Sequence, residues 1–440
     1  MVCRPEPVPF SAALIYWLKL GFTSFGGPAG QIGMMHQELV ERRRWISEHR
    51  FLHALNYTMV LPGPEAQQLA TYIGWLMHGV WGGIVAGTLF VLPSLILLIG
   101  LTWIYLAYGD VPAVQSILYG IKPAVTAIVA TSAWRIGSRT LGNNVLRAIA
   151  ASSFVAIFAF DVPFPAIVLS AGLFGLLGSR FTPGKFKTAD HRLIAGTTNG
   201  PALIDNDTPV PRHAKFSRSR FALIAMAGLF TWAAALGWLA YAFGWQGTLA
   251  QMGWFFSKAA LVTFGGAYAV LPYVYQGGVE HHAWLSATQM IDGLALGETT
   301  PGPLIMVVAF VGFVGGWTKE LFGPELLPLA GIAGACTATL FTFLPSFLFI
   351  LLGGPLVEST RHEVGFTAPL TAITAAVVGV ILNLAVFFAY HVLWPGGFDA
   401  PFEWIACLIG ILAFIALFKF RASVVSVICA CAAFGLVFSP

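Results

Sequence analysis

Shifted by 239 residues, this sequence matches itself. Residues 19–64 overlay residues 258–303 without a gap, and 13 of the 46 pairs are identical. The identities cluster: Lys19 with Lys258, Phe25-Gly26-Gly27 with Phe264-Gly265-Gly266, Glu41 with Glu280, Trp45 with Trp284, and Pro62-Gly63-Pro64 with Pro301-Gly302-Pro303. After an insertion of 13 residues in the second copy (offset 252 against 239), Leu92-Pro93-Ser94 finds Leu344-Pro345-Ser346. A self-match of this length makes the chain two copies of one unit, and any fold must accommodate both.

Composition then sets the solvent. The 440 residues are 57% hydrophobic and only 10% charged, and the mean hydropathy is +0.79. Soluble domains carry roughly 25% charged residues, so this chain cannot cover a water-facing surface. At about 20 residues per spanning helix, the length allows on the order of ten to fifteen membrane segments. The apolar runs are continuous rather than alternating, which excludes a transmembrane barrel. The net charge of +4 is too balanced for a nucleic-acid partner. No secretory signal pattern is expected, since the first apolar stretch is interrupted by Lys19 and leads into a Gly-rich motif.

Basic residues assign sidedness. The first copy carries Arg42, Arg43, Arg44 and Arg50 after its first motif, whereas the second reads Glu280-His281-His282-Ala283. By the positive-inside rule the same loop faces opposite sides in the two copies. The expected fold is therefore an all-α polytopic membrane protein of two inverted-topology repeats with broken, re-entrant helices. Residues 1–180 form the first repeat, 181–220 a cytoplasmic linker, 221–246 a connecting transmembrane helix, and 247–440 the inverted second repeat. Residues 10–41 and 51–80 are expected to dip in and return. Full spans follow near 83–108, 115–134, 145–160 and 163–179. The stretch Arg180 to Arg220, with eight basic and three acidic residues among Pro, Thr and Asn, reads as a flexible tether.

Glycine and proline interrupt the apolar sequence twice in each copy, at Phe25-Gly26-Gly27-Pro28 and Pro62-Gly63-Pro64, then at Phe264-Gly265-Gly266 and Pro301-Gly302-Pro303. Proline cannot continue a helix and glycine weakens one. Broken helices at matched positions of two repeats point to a transporter's binding site. A half-helix starting in mid-membrane aims free N–H groups and about half a positive charge at what precedes it, which favours an anion.

Lys19 and Lys258 each lie six residues before the Phe-Gly-Gly, with Ser24 or Thr263 ahead of it, and are expected to serve the anion pathway. Asn56, Gln67, Gln68, Thr299 and Thr300, with the backbone at Phe25, Gly26, Gly27, Gly63, Gly265, Gly266 and Gly302, complete the expected oxyanion site. Glu65 and Glu298 sit beside the Pro-Gly-Pro breaks. Each either couples anion movement to protons or simply complements a helix dipole. Cys3, Cys336, Cys407, Cys429 and Cys431 form no C-x-x-C pair, and the ten histidines show no metal-ligand spacing. No metal, cofactor or catalytic residue is expected, and no P-loop or nucleophile elbow is present.

The run Lys19-Leu-Gly-Phe-Thr-Ser-Phe-Gly-Gly-Pro-Ala-Gly-Gln31, then Arg44-Trp45-Ile46, Ala54-Leu-Asn56-Tyr and Leu61-Pro-Gly-Pro-Glu-Ala-Gln-Gln-Leu69, resembles the chromate ion transporter family, in its long two-domain bacterial form. The second copy matches through Thr263-Phe-Gly-Gly266, Trp284-Leu-Ser286 and Thr299-Thr-Pro-Gly-Pro303. The resemblance implies export of chromate, or a sulfate-like tetrahedral oxyanion, across the bacterial inner membrane. It implies no enzyme. The residues alone reach an anion transporter with inverted repeats, read first as a carrier with alternating access. An anion channel, an exchanger for another oxyanion and, further off, an intramembrane enzyme stand as alternatives, and a homodimer is left open.

Overall fold

In a chain with so little charge, backbone N–H and C=O groups must be satisfied within each segment, and helices do this. The computed structural model describes residues 7–25, 27–109, 111–181, 202–205, 208, 211–264, 266–359 and 367–438. Among them there is no β-strand, only one isolated bridge between Ile46 and Ile204.

The first copy runs α1 (Phe10–Thr23), α2 (Gly27–His36), a π-helical turn (Gln37–Arg42), α3 (Glu48–Val60), α4 (Glu65–Tyr108), α5 (Pro112–Thr140), α6 (Asn144–Phe160) and α7 (Phe164–Phe181). After α8 (Arg218–Phe243) the second runs α9 (Thr248–Val262), α10 (Ala267–Tyr275), a π-helical turn (Gln276–His281), α11 (Ala287–Thr299), α12 (Val307–Thr318), α13 (Leu327–Ser359), α14 (Thr367–Leu393), α15 (Trp404–Phe418) and α16 (Val424–Phe438). The duplication extends to backbone detail. Shifted by 239, the two π-turns coincide, and each is followed by a left-handed residue, Arg44 (φ 53°) or Ala283 (φ 47°). The Trp45 and Trp284 amides then return to the carbonyls of Leu39 and Gly278.

α4 is two helices. At His78 and Gly79 (φ 66°, ψ −156°) it turns back, so residues 65–77 and 80–108 form a hairpin. Its limbs touch where Gly74 meets Gly82 and Ala86. Small residues let helix backbones approach closely in membranes. The second copy builds the same hairpin from α12 and α13, Gly312 against Gly334, and its insertion falls in the connection between them. Gly83 lies against Leu351 and Gly87 against Phe347, so the second limb of α4 and its counterpart α13 run antiparallel, side by side.

Among the described residues, five helical stretches are long and apolar enough to cross a bilayer: Glu65–Tyr108, through its second limb, and Pro112–Thr140, Arg218–Phe243, Pro324–Glu358 and Ala368–Leu393. The chain is an all-α, multi-pass membrane protein.

The tether expectation needs correction at its far end. Residues 182–201, 206, 207, 209 and 210 lie outside the described residues, but the remainder of the linker is docked. Leu203 and Ile204 amides donate to the Arg44 and Trp45 carbonyls, and the Ser47 amide donates to Ile204. Ala202 and Ala214 are buried, and His213 packs edge-on against Trp75, 5.7 Å between ring centres. Charge and proline content describe a segment's solubility, not whether a loop offers it unpaired backbone groups.

Candidate functional site

All four glycine-proline interruptions are real breaks. α1 ends at Thr23 before α2, α3 ends at Val60 before α4, α9 ends at Val262 before α10, and α11 ends at Thr299 before a 3₁₀ turn and α12. Each break leaves a helix C-terminus and a helix N-terminus in apolar surroundings, so its orphan groups need partners.

The two copies supply them to each other. The Gly63 amide donates to the Thr263 carbonyl at 2.8 Å, and the Gly302 amide donates to the Ser24 carbonyl at 2.8 Å. Shifting by 239 turns one bond into the other, so the Pro-Gly-Pro of each copy is tied to the end of the first helix of the other. Gly63 (φ 121°) and Gly302 (φ 104°) adopt the left-handed side of backbone space that favours glycine. A Cβ on Gly63 would overlap Ser346 Oγ and Gln68 Nε2; one on Gly302 would lie 2.7 Å from Ser94 Cβ. These serines are the matched Leu-Pro-Ser pair. The crossing is thus built from both breaks and both Leu-Pro-Ser segments.

Around this crossing several polar atoms are buried without hydrogen-bond partners: Ser24 Oγ, Ser94 Oγ, Gln31 Oε1, Gln67 Oε1 and Gln68 Oε1. Gln31 Nε2 donates to the Gly302 carbonyl at 2.5 Å, Gln67 Nε2 to Thr71 Oγ1 at 3.0 Å, and Gln68 Nε2 to the Pro62 carbonyl at 2.7 Å. Buried polar groups normally find partners, so the two idle serine hydroxyls are donors in want of an acceptor.

The expected residues divide under this geometry. Ser24, Gly63, Gln67, Gln68, Thr263 and Gly302 are buried at the crossing. Gly27 and Gly266 hold positive φ at the matched first breaks, while Gly26 and Gly265 lie outside the described residues. Thr263, Thr299 and Thr300 are not free donors, because their hydroxyls donate to the Ala259, Leu296 and Gly297 carbonyls of their own helices. Phe25 and Asn56 are exposed rather than enclosed.

Lys19 and Lys258 are exposed as well, so neither is enclosed at the crossing. At about 100° per residue, Lys19 lies roughly 140° around α1 from Ser24. It shares its face with Ile15 and Phe22, opposite the packed face of Tyr16, Trp17 and Leu20. Lys258 instead sits 5.6 Å from the centre of the Trp254 ring. Helical phase, not proximity in sequence to the motif, sets which way each lysine faces.

Glu65 starts α4, partly buried, and Glu298 Oε1 accepts from Tyr268 at 2.5 Å with Arg135 in electrostatic range. No group of three or more metal-ligating side chains occurs among the described residues. Sequence reasoning missed Gln31, Ser94 and Ser346 as site residues, although the repeated Leu-Pro-Ser was the signal that could have found the serines.

Comparison with known proteins agrees with this architecture. The family model described as "Chromate transporter" matches residues 12–176 and 250–436, one stretch in each copy. A chromate transport protein of Cupriavidus metallidurans is 31% identical over 377 residues, 86% of this chain and 82% of the relative. One from Pseudomonas aeruginosa is 33% identical over 381 residues, 86% and 80% respectively. A probable chromate transport protein of Synechococcus elongatus is 29% identical over 405 residues, 92% and 88%. No solved structure matches the chain. With both copies matched and the crossing built from the segments they share, the chain belongs to the chromate transporter family.

Proposed function

We propose that the protein is a secondary transporter that exports chromate, or a tetrahedral oxyanion like it, across a bacterial inner membrane, its two halves acting as inverted repeats around the crossing. The observation that carries this reading is the reciprocal pair of hydrogen bonds, Gly63 to Thr263 and Gly302 to Ser24, flanked by idle serine hydroxyls. The antiparallel run of α4 against α13 supports the inversion.

A dianion fits chemically. α2, α4 and α10 begin at the breaks and a 3₁₀ turn leads into α12 at the fourth, and a helix N-terminus carries about half a positive charge. Ser24 and Ser94 add hydroxyl donors. Glu65 occupies one of these N-termini as a carboxylate, imitating an anion. Entry of substrate requires the reciprocal hydrogen bonds to exchange acceptors, from carbonyl oxygens to oxyanion oxygens, which couples binding to separation of the halves. Glu65 and Glu298 are the proposed proton-coupling groups, and sulfate is the proposed alternative substrate.

The test is uptake of labelled chromate and sulfate into inverted vesicles with voltage and pH gradients set separately. Saturable uptake with counter-transport supports the carrier. Flux that never saturates and needs no occluded state establishes a channel in its place.

A further inference from the structure

Among the described residues, two ion pairs with buried carboxylates lie away from the crossing, one beside the turn of the α4 hairpin and one toward the far end of its second limb. At one end, Arg50 Nη2 of α3 is 2.8 Å from Glu358 Oε2 of α13, and Tyr72 of α4 donates to Glu358 Oε1 at 2.5 Å. Arg50 and Glu358 are 5% and 3% exposed. At the other end, Lys122 Nζ of α5 is 3.7 Å from Asp292 Oδ1 of α11, and Tyr105 of α4 donates to Asp292 Oδ2 at 2.9 Å. Asp292 is 2% exposed, whereas the Lys122 side chain is 27% exposed. At about 1.5 Å per residue, the second limb of α4 rises roughly 37 Å from Val80, just past the turn, to Tyr105, the depth of a bilayer with its interface.

The pairs occupy related places. Shifted by 239, Asp292 falls on His53, one turn of α3 from Arg50; with the insertion included, Glu358 falls next to the position of Tyr105. Each pair ties the helix before a Pro-Gly-Pro to a long helix of the opposite copy, α13 in the first case and α5 in the second, where Tyr105 adds a hydrogen bond from α4. The chemistry is reversed: the short helix brings the cation in the first case and the anion in the second. Each carboxylate accepts one tyrosine hydroxyl, and in each pair the carboxylate oxygen facing the cation lies off the hydrogen-bond axis. Ionisable side chains buried in a membrane bundle are costly and mark function. Packing alone does not need a charge pair, which hydrophobic residues replace at no loss.

We propose that Arg50–Glu358–Tyr72 and Lys122–Asp292–Tyr105 are two latches that close the substrate path on opposite sides of the crossing and part in alternation. The first closes the side carrying Arg42, Arg43 and Arg44; the second closes the opposite side. Both are shut here, so the structure is an occluded state. The inference rests on the alternating-access reading and names the parts that move. Charge pairs suit the task because they hold strongly when dry and exchange for water when wetted, which makes each latch two-state.

The test is thiol labelling of the full chain in sealed vesicles, with Cys3, Cys336, Cys407, Cys429 and Cys431 replaced by alanine and Ser94→Cys as reporter at the crossing. A membrane-impermeant thiol reagent is applied from either side. Glu358→Gln should raise labelling about a hundredfold from the basic-loop side alone, and Asp292→Asn likewise from the opposite side alone, since losing one charge of a buried pair moves an equilibrium by two decades or more. The exchanged pairs, Arg50→Glu with Glu358→Arg and Lys122→Asp with Asp292→Lys, should restore protection, which a merely unfolded variant would not. Unchanged labelling with counter-transport intact overturns the latches and leaves the carrier standing. Opening of both sides by either variant also overturns them. A reporter reached from both sides at once with all latch residues native overturns alternating access itself.

Discussion

Replacing Gly302 by alanine probes the crossing directly. The residue sits at φ 104°, and an added Cβ would lie 2.7 Å from Ser94 Cβ and 3.1 Å from Ser94 Oγ. Backbone held in a region alien to L-residues costs about 1–3 kcal/mol. Overpacking a dense interior costs about 1–3 kcal/mol more. The sum, about 2–6 kcal/mol, is a large share of a typical native stability of about 5–15 kcal/mol. Gly63→Ala should behave alike, since its Cβ overlaps Ser346 Oγ and Gln68 Nε2. Both variants should lower the thermal midpoint in detergent by several degrees and cut chromate flux per inserted molecule below about a tenth. A second change separates the two causes. Ser94→Gly beside Gly302→Ala relieves the overlap but not the strained φ, so about half of the loss should return, a coupling that a double-mutant cycle measures. Gly33→Ala is the control, because nothing lies within 4 Å of its added Cβ and its φ is ordinary; it should be neutral or stabilising by up to about 1 kcal/mol. If Gly302→Ala and Gly63→Ala matched Gly33→Ala in midpoint and flux, the crossed geometry would be wrong.

Ser24→Ala removes a buried hydroxyl that has no protein partner, so insertion and midpoint should hold while the apparent affinity for chromate weakens about tenfold or more, read from KM in vesicles. Lys19→Ala and Lys258→Ala should insert at least as well as the parent and keep most of their flux; abolished transport in either would return the lysines to the anion site. Ile204→Pro deletes the amide that donates to the Trp45 carbonyl, and limited proteolysis at residues 202–205 should accelerate about tenfold. Glu38, in the basic loop, is held below the usual carboxylate range by its hydrogen bond to Arg43, with Arg42 adding to it. A depressed folded pKa gives stability above the unfolded value that is lost as pH falls through the folded one. Glu38→Gln should therefore lower the midpoint slightly at neutral pH and leave it unchanged in acid, a small effect because water and salt screen the pair.

What the sequence determined by itself was the class of solvent, the duplication and the breaks. Continuous apolar runs admit only helices in a bilayer, and the Gly-Gly and Pro-Gly-Pro clusters interrupt a helix where single prolines such as Pro93 and Pro345 do not, so the break positions followed from chemistry local to Phe25, Pro62, Phe264 and Pro301. The matched arginine-rich and arginine-free loops carried the expectation of opposite facing. Tertiary structure decided which atoms meet. Whether Lys19 faces the crossing depends on the rotation of α1, and that is set by how Tyr16, Trp17 and Leu20 pack, a sum over neighbours far away in the chain. The reciprocal bonds of Gly63 and Gly302 join residues 200 and 278 positions apart (263 − 63 and 302 − 24), for which no local rule exists. The pairs Arg50–Glu358 and Lys122–Asp292 were silent for the same reason. An ionisable residue in an apolar run announces its cost, but only the packing of distant helices says which opposite charge offsets it.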